Sequence, residues 1–121
     1  HAPHTEEEKS RPMDVCPFGI VSLETCFPLL YTQFVKKEKR WTLAQLVSWM
    51  STKPAIRFGL DKVGKIQKGY SSDFVIINLE EEYTIDSNDF ESMGKNTPFN
   101  GWDVFGKVKQ TIVSGNTVWK G

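Results

Sequence analysis

Gly64-Lys65-Ile66-Gln67-Lys68-Gly69-Tyr70-Ser71-Ser72-Asp73-Phe74-Val75-Ile76-Ile77 is the stretch on which the chain turns from one pattern to another. Phe74 to Ile77 is its longest strictly apolar run, rich in β-branched residues, and reads as a strand buried on both faces. The glycine-bounded segment before it, Gly64 to Gly69, reads as a turn-flanked strand. Downstream, Tyr83-Thr84-Ile85 reads as a further short strand, and residues 86 to 103, rich in Asn, Asp, Gly and Pro, as a long loop. Lys107 to Val113, the turn residues Ser114-Gly115-Asn116 and Thr117-Val118-Trp119 read as a terminal β-hairpin.

Upstream the period is helical. Ile20, Leu23, Phe27, Leu30 and Phe34 recur at three- and four-residue steps, one face of an amphipathic helix over roughly 20 to 40. Pro28 should kink that helix or mark its first turn. Thr42-Leu43-Ala44-Gln45 has the form of a capping box, and Leu43, Leu46, Val47 and Met50 behind it give the stripe of a second helix. Pro54 can begin a third, short helix running to Phe58 with Gly59 as its cap. Residues 5 to 18 read as an exposed loop, in which Glu6-Glu7-Glu8 suits a first helical turn. Helices followed by strands suggest the end of one domain and part of another, not a single alternating sheet.

Lys plus Arg is 15 and Asp plus Glu is 15 in 121 residues, so the formal net charge is zero. That balance argues against a nucleic-acid or membrane-surface protein. With 39% apolar residues, 8 Phe, 4 Trp and 3 Tyr, disorder is excluded. A four-residue apolar run cannot form a transmembrane helix, and no segment has a signal-peptide pattern. Cys16 and Cys26 are too few for a disulfide framework, so a reduced, cytoplasmic setting is expected. His1 and His4 form only an isolated His-x-x-His, a weak zinc signal. No Rossmann, Walker or Gly-x-Ser-x-Gly motif occurs, so spacing alone names no enzyme.

Longer motifs are more specific. His1-Ala2-Pro3-His4-Thr5, Pro17-Phe18-Gly19-Ile20, Leu23-Glu24-Thr25 and Lys95-Asn96-Thr97-Pro98-Phe99-Asn100-Gly101-Trp102 resemble the C-terminal part of bacterial dihydroorotases, along essentially the whole chain. Gly64-x-Ile66-x-x-Gly69-x-x-Ser72-Asp73 before an apolar strand resembles a signature of the wider amidohydrolase superfamily. Ser72 and Cys16 stand where alanine is more usual.

The resemblance implies an α/β fold: the C-terminal part of a distorted (β/α)₈ TIM-type barrel plus part of a small β-sandwich domain. A full barrel needs about 250 residues, so residues 1–60 would supply the loop after strand 8 and the closing helices. Residues 61–121 would supply the latter part of the β-domain, with 86–103 as a connecting loop. The implied activity is the zinc-dependent, reversible hydrolysis of dihydroorotate to N-carbamoyl-aspartate in pyrimidine biosynthesis. Alternatives are a cyclic amidohydrolase of the allantoinase or hydantoinase type, or a non-catalytic dihydroorotase-like partner of aspartate transcarbamoylase.

Residue by residue, the resemblance makes His4, Phe18 and Gly19 substrate-binding, the last two through their backbone. It places the general-base Asp just before His1 and the zinc ligands further upstream, leaving no catalytic or metal residue among these 121. His1 would support the site, while Phe99 and Trp102 would dock the loop. The implied partners are the small-molecule substrate, the N-terminal part of the same protein, a second copy in a homodimer and aspartate transcarbamoylase; nucleic acid and membrane are not among them. The chain alone is expected to be inactive, with the apolar helix faces around Leu23, Leu30 and Leu46 open to water.

Overall fold

Helices occupy the first half and strands the second in the computed structural model, which describes all 121 residues. A one-turn helix α1 (Glu6–Lys9) is held by a capping box: the Thr5 hydroxyl accepts from Glu8 N–H at 3.2 Å, and the Glu8 carboxylate accepts from Thr5 N–H at 2.9 Å. The acidic run thus forms a helical turn inside the segment expected as loop. Helix α2 (Cys26–Leu30) continues without a break into wider π turns over Tyr31–Lys37. Pro28 lies in its first turn, where a missing N–H removes no helical bond. After a bend, α3 (Leu43–Val47) starts at the Thr42–Gln45 capping box and runs through π turns (Ser48–Thr52) into α4 (Lys53–Arg57). No helix is long and apolar enough to cross a membrane.

The strands β1 (Phe74–Thr84), β2 (Asp103–Val113) and β3 (Asn116–Lys120) form an antiparallel sheet in the order β1-β2-β3. Ser114 and Gly115 both have positive φ, the two-residue turn that matches the twist of a hairpin. Tyr83 and Thr84, expected as a separate strand with Ile85, are the end of β1 beyond an irregularity between Asn78 and Glu82. Helix α2 packs on β2 where a glycine allows it. A Cβ at Gly106 would lie 3.1 Å from the Phe27 ring and 3.2 Å from the Tyr31 ring. Beside this contact the Thr32 hydroxyl accepts from Phe105 N–H at 2.7 Å. The Lys36 ammonium adds an ion pair with Glu80 of β1 at 2.8 Å, so the helix and strand halves meet at both β1 and β2.

Four expectations need correction. Gly64–Gly69 is not a strand: Gly64 and Gly69 have positive φ, no strand pairs with the segment, and Ile66 is 95% exposed. Its fixed end is Gly64, whose carbonyl accepts from the Thr52 hydroxyl at 2.8 Å and whose Cα lies too close to Ala55 for any side chain. Phe74–Ile77 is a strand, but Phe74, Val75 and Ile76 are exposed because no helix of this chain packs on the faces of β1 there, and β1 is also the edge of the sheet. The helix begins at Cys26, not Ile20, and the face it buries is Val21, Thr25, Pro28, Tyr31 and Thr32, rotated from the expected stripe. Leu23 is open to water as expected, whereas Leu46 is 1% exposed, enclosed where α3 packs back on the α2 extension.

Candidate functional site

Three segments distant in sequence converge at one end of the molecule: residues 1–5, 16–23 and 94–97. Ala2 N–H donates to the Ile20 carbonyl at 2.8 Å, and Val21 N–H to the Asn96 carbonyl at 3.0 Å. The approach is so close that two glycines are required. A Cβ on Gly19, whose φ is +102°, would lie 2.5 Å from the Ala2 Cβ; one on Gly94 would lie 2.6 Å from the Pro3 Cα.

The sequence-predicted residues His4, Phe18 and Gly19 fall together here. His4 Nε2 is 3.1 Å from the Phe18 carbonyl oxygen. A carbonyl only accepts, so Nε2 is the protonated nitrogen, while Nδ1 faces Glu8 Oε2 at 3.7 Å. His1 has the same tautomer but is held by its acceptor nitrogen: its Nδ1 accepts from Ser22 N–H at 3.1 Å and Leu23 N–H at 3.2 Å, which leaves the ring hydrogen on Nε2. Phe18 itself projects into solvent, 94% exposed, so its ring packs against nothing in this chain.

The backbone of residues 17–20 has a consistent polarity. Every carbonyl accepts from within the chain: Pro17 from Lys9 Nζ at 2.9 Å, Phe18 from His4, Gly19 from Lys9 Nζ at 3.3 Å and Asn96 Nδ2 at 3.0 Å, and Ile20 from Ala2 N–H. The N–H groups of Phe18, Gly19 and Ile20 donate to no atom of the chain. In a trans peptide the N–H points opposite to the preceding carbonyl. Drawing these carbonyls toward donors of the chain therefore turns the N–H groups of Phe18, Gly19 and Ile20 the other way, on the side of the backbone opposite the Lys9 ammonium. The result is a cradle for an anion or a carbonyl oxygen.

Lys9 and Asn96 were not singled out as site residues by sequence. Lys9 sits in a run that reads as solvated charge, and the Asn96–Gly19 bond spans 77 residues. Glu24 was missed likewise: its carboxylate accepts from Glu91 and Ser92 N–H at 2.9 and 3.0 Å, pinning the 86–103 loop to the start of α2. Phe99 and Trp102 pack edge-to-face at 5.2 Å on each other. Nowhere do three His, Cys, Asp or Glu side chains converge as a metal cage, and one ring nitrogen of each histidine is already bonded to backbone. The residues present do not by themselves fit a zinc ion, and no step is routed through one.

Comparison with known proteins gives a consistent picture. The amidohydrolase family model matches residues 11–118. Dihydroorotase from Anoxybacillus flavithermus is 56% identical over 120 residues, 99% of this chain and 28% of that protein. The Bacillus licheniformis dihydroorotase is 53% identical over the same share of each. The chain thus spans 28% of the length of the curated relatives it matches. Among solved structures, a D-hydantoinase (dihydropyrimidinase) from Thermus sp. superposes with a TM-score of 0.88 at 27% identity, over 99% of this chain and 27% of that one. An L-hydantoinase from Arthrobacter aurescens gives 0.78 at 35% identity, over 84% and 23%.

Proposed function

The chain belongs to the amidohydrolase family, and from that premise we propose that it is part of a dihydroorotase, its C-terminal part by the resemblance of its motifs. The proposed reaction is reversible hydrolysis of the cyclic amide of dihydroorotate. Water adds to the ring amide carbonyl, the C–N bond breaks, and the nitrogen takes a proton to leave N-carbamoyl-aspartate. A zinc ion bound elsewhere in the protein would supply the activated water; none of these 121 residues is assigned to hold it. On this reading residues 1–60 close a (β/α)₈ barrel after its eighth strand and 61–121 belong to the small β-domain. The homodimeric, cytoplasmic enzyme of pyrimidine synthesis is part of the same proposal, with aspartate transcarbamoylase as a further partner.

The observation that carries the proposal is the cradle. Three successive outward N–H groups with no partner in the chain suit an anionic ring, and dihydroorotate bears a carboxylate that hydantoins and allantoin lack. Phe18 and Gly19 would hold the ring through their backbone. A substrate carboxylate is a stronger acceptor than the Phe18 carbonyl, so His4 Nε2–H would transfer its hydrogen bond to it. The similarity to hydantoinase structures is the specific reason to keep a hydantoinase-type activity as the second reading.

The test uses the intact protein with dihydroorotate, N-carbamoyl-aspartate, hydantoin and allantoin. Dihydroorotate is expected to be preferred, and His4→Ala to lower its kcat/KM about ten- to a hundredfold with metal content unchanged, as loss of a hydrogen bond to a charged group implies. Preference for an uncharged ring would select the hydantoinase-type reading. Loss of metal from His4→Ala would make His4 a ligand. Absence of both metal and turnover in the intact protein would identify a non-catalytic partner.

A further inference from the structure

Asn96 lies in the Lys95-Asn96-Thr97-Pro98-Phe99 segment, and its side chain reaches two of the three segments at the site. We propose that Asn96 is a positioning residue that sets the outward direction of the Ile20 N–H, and so the shape of the 17–20 cradle; this rests on the substrate role proposed for that cradle. Its Nδ2 donates to the Gly19 carbonyl at 3.0 Å and the Ala2 carbonyl at 3.4 Å, and its own carbonyl accepts from Val21 N–H at 3.0 Å. One residue therefore joins the segment carrying His4 to both sides of Ile20.

The amide can face only one way. Two carbonyl oxygens accept and cannot donate, so a flipped Asn96 would set Oδ1 against both. Oδ1 is buried and has no partner, so the side chain is held by its donor end alone. The consequence follows from peptide planarity. Gly19 C=O and Ile20 N–H belong to one rigid unit, so fixing the carbonyl inward fixes the N–H outward. Gly19 needs this restraint: at φ +102° it has a glycine's freedom, and no side chain to limit it. Lys9 Nζ also reaches the Gly19 carbonyl, but at 3.3 Å, with its shorter bond of 2.9 Å going to Pro17. Asn96 is thus the nearer donor on Gly19.

Kinetics of the intact enzyme with dihydroorotate test this, with Asn96→Ala, which removes the donor, and Asn96→Asp, which keeps the shape but replaces Nδ2 by an acceptor. Both are expected to raise KM about tenfold, with kcat within about twofold and metal content unchanged, while the melting temperature falls modestly in Asn96→Ala and further in Asn96→Asp, which sets an acceptor against two carbonyls. Asn96→Ser, which retains a hydroxyl donor, is the milder variant should the others not fold, and should fall between. An unchanged KM in any folded variant overturns the proposal, as does a joint fall of kcat and melting temperature without a KM change. His4→Ala measured alongside separates the two layers. If it raises KM while the Asn96 variants do not, the positioning role fails and the substrate reading stands. If neither changes KM, the substrate reading fails with it.

Discussion

Glu8 shows how a single exposed side chain conditions the site. Hydrogen bonds from Thr5, first from its backbone N–H and then from its hydroxyl, hold the Glu8 carboxyl below its ordinary value of 4.5, with His4 and Arg11 adding to the effect. A carboxyl lowered in the folded state contributes stability above its unfolded value and loses it as pH falls through the folded one. The Glu8 half of the α1 capping box is therefore favoured at neutral pH and weakens as pH falls through the lowered Glu8 value. Nuclear magnetic resonance titration should give a Glu8 midpoint below 4.5, with Thr5 N–H moving in step, and Thr5→Ala should return the midpoint toward 4.5. A midpoint at or above that value in the unaltered protein would remove the box. Lys9, in the same turn, donates to Pro17 and Gly19. His4, Phe18 and Gly19 could be singled out from sequence because their motifs are distinctive, and the fold brings them together. Lys9 and Asn96 could not be, because a lysine or amide bonded to a distant carbonyl leaves no periodic trace.

Among the elements, the signature ahead of β1 has a structural role that its pattern does not disclose. The Asp73 carboxylate accepts from Ser114 N–H at 2.7 Å, and the Ser72 carbonyl accepts from Gly115 N–H at 3.0 Å. Both bonds fix the positive-φ turn of the β2–β3 hairpin to the start of β1. Asp73→Ala should thus destabilise the intact protein by about 1 kcal/mol, the scale of one partly solvated hydrogen bond. Asp73→Asn, which keeps an acceptor, should recover most of it; thermal unfolding of the pair decides. Equal losses in both variants would assign the effect to charge, and no loss in either would dismiss the clasp. The helix-then-strand division and the hairpin were legible from period and turn residues. The burial of Phe74–Ile77 was not, because an apolar run reports what a strand can pack against, not whether that partner lies in the same chain. Gly64–Gly69 misled for a related reason: its alternation is extended, but positive-φ glycines at both ends turn the backbone out of any ladder.

At the scale of the whole chain, burial is sparse. Only 11 of 121 residues are buried, far fewer than an independent domain of this length encloses. Met50, Ile56, Phe58 and Leu60 on and after the helices are exposed, as are Phe74, Val75 and Ile76 along β1, whose outer edge has no partner strand. Contiguous apolar surface and a free strand edge promote association. This sequence corresponds to 28% of the length of relatives such as the Anoxybacillus enzyme. The 121 residues expressed alone are therefore expected to self-associate and to show no turnover of dihydroorotate. They should bind zinc no more tightly than two surface histidines, since no third ligand converges with His1 or His4. Co-expression with the remainder of a relative such as the Anoxybacillus enzyme should yield a soluble, associated pair. Analytical ultracentrifugation and equilibrium dialysis with zinc provide the measurements. A monodisperse, well-folded 121-residue monomer would show that the exposed faces need no cover. Tight stoichiometric zinc on that monomer would place a metal site within this chain, and His1 and His4 would then have to leave their backbone partners to form it.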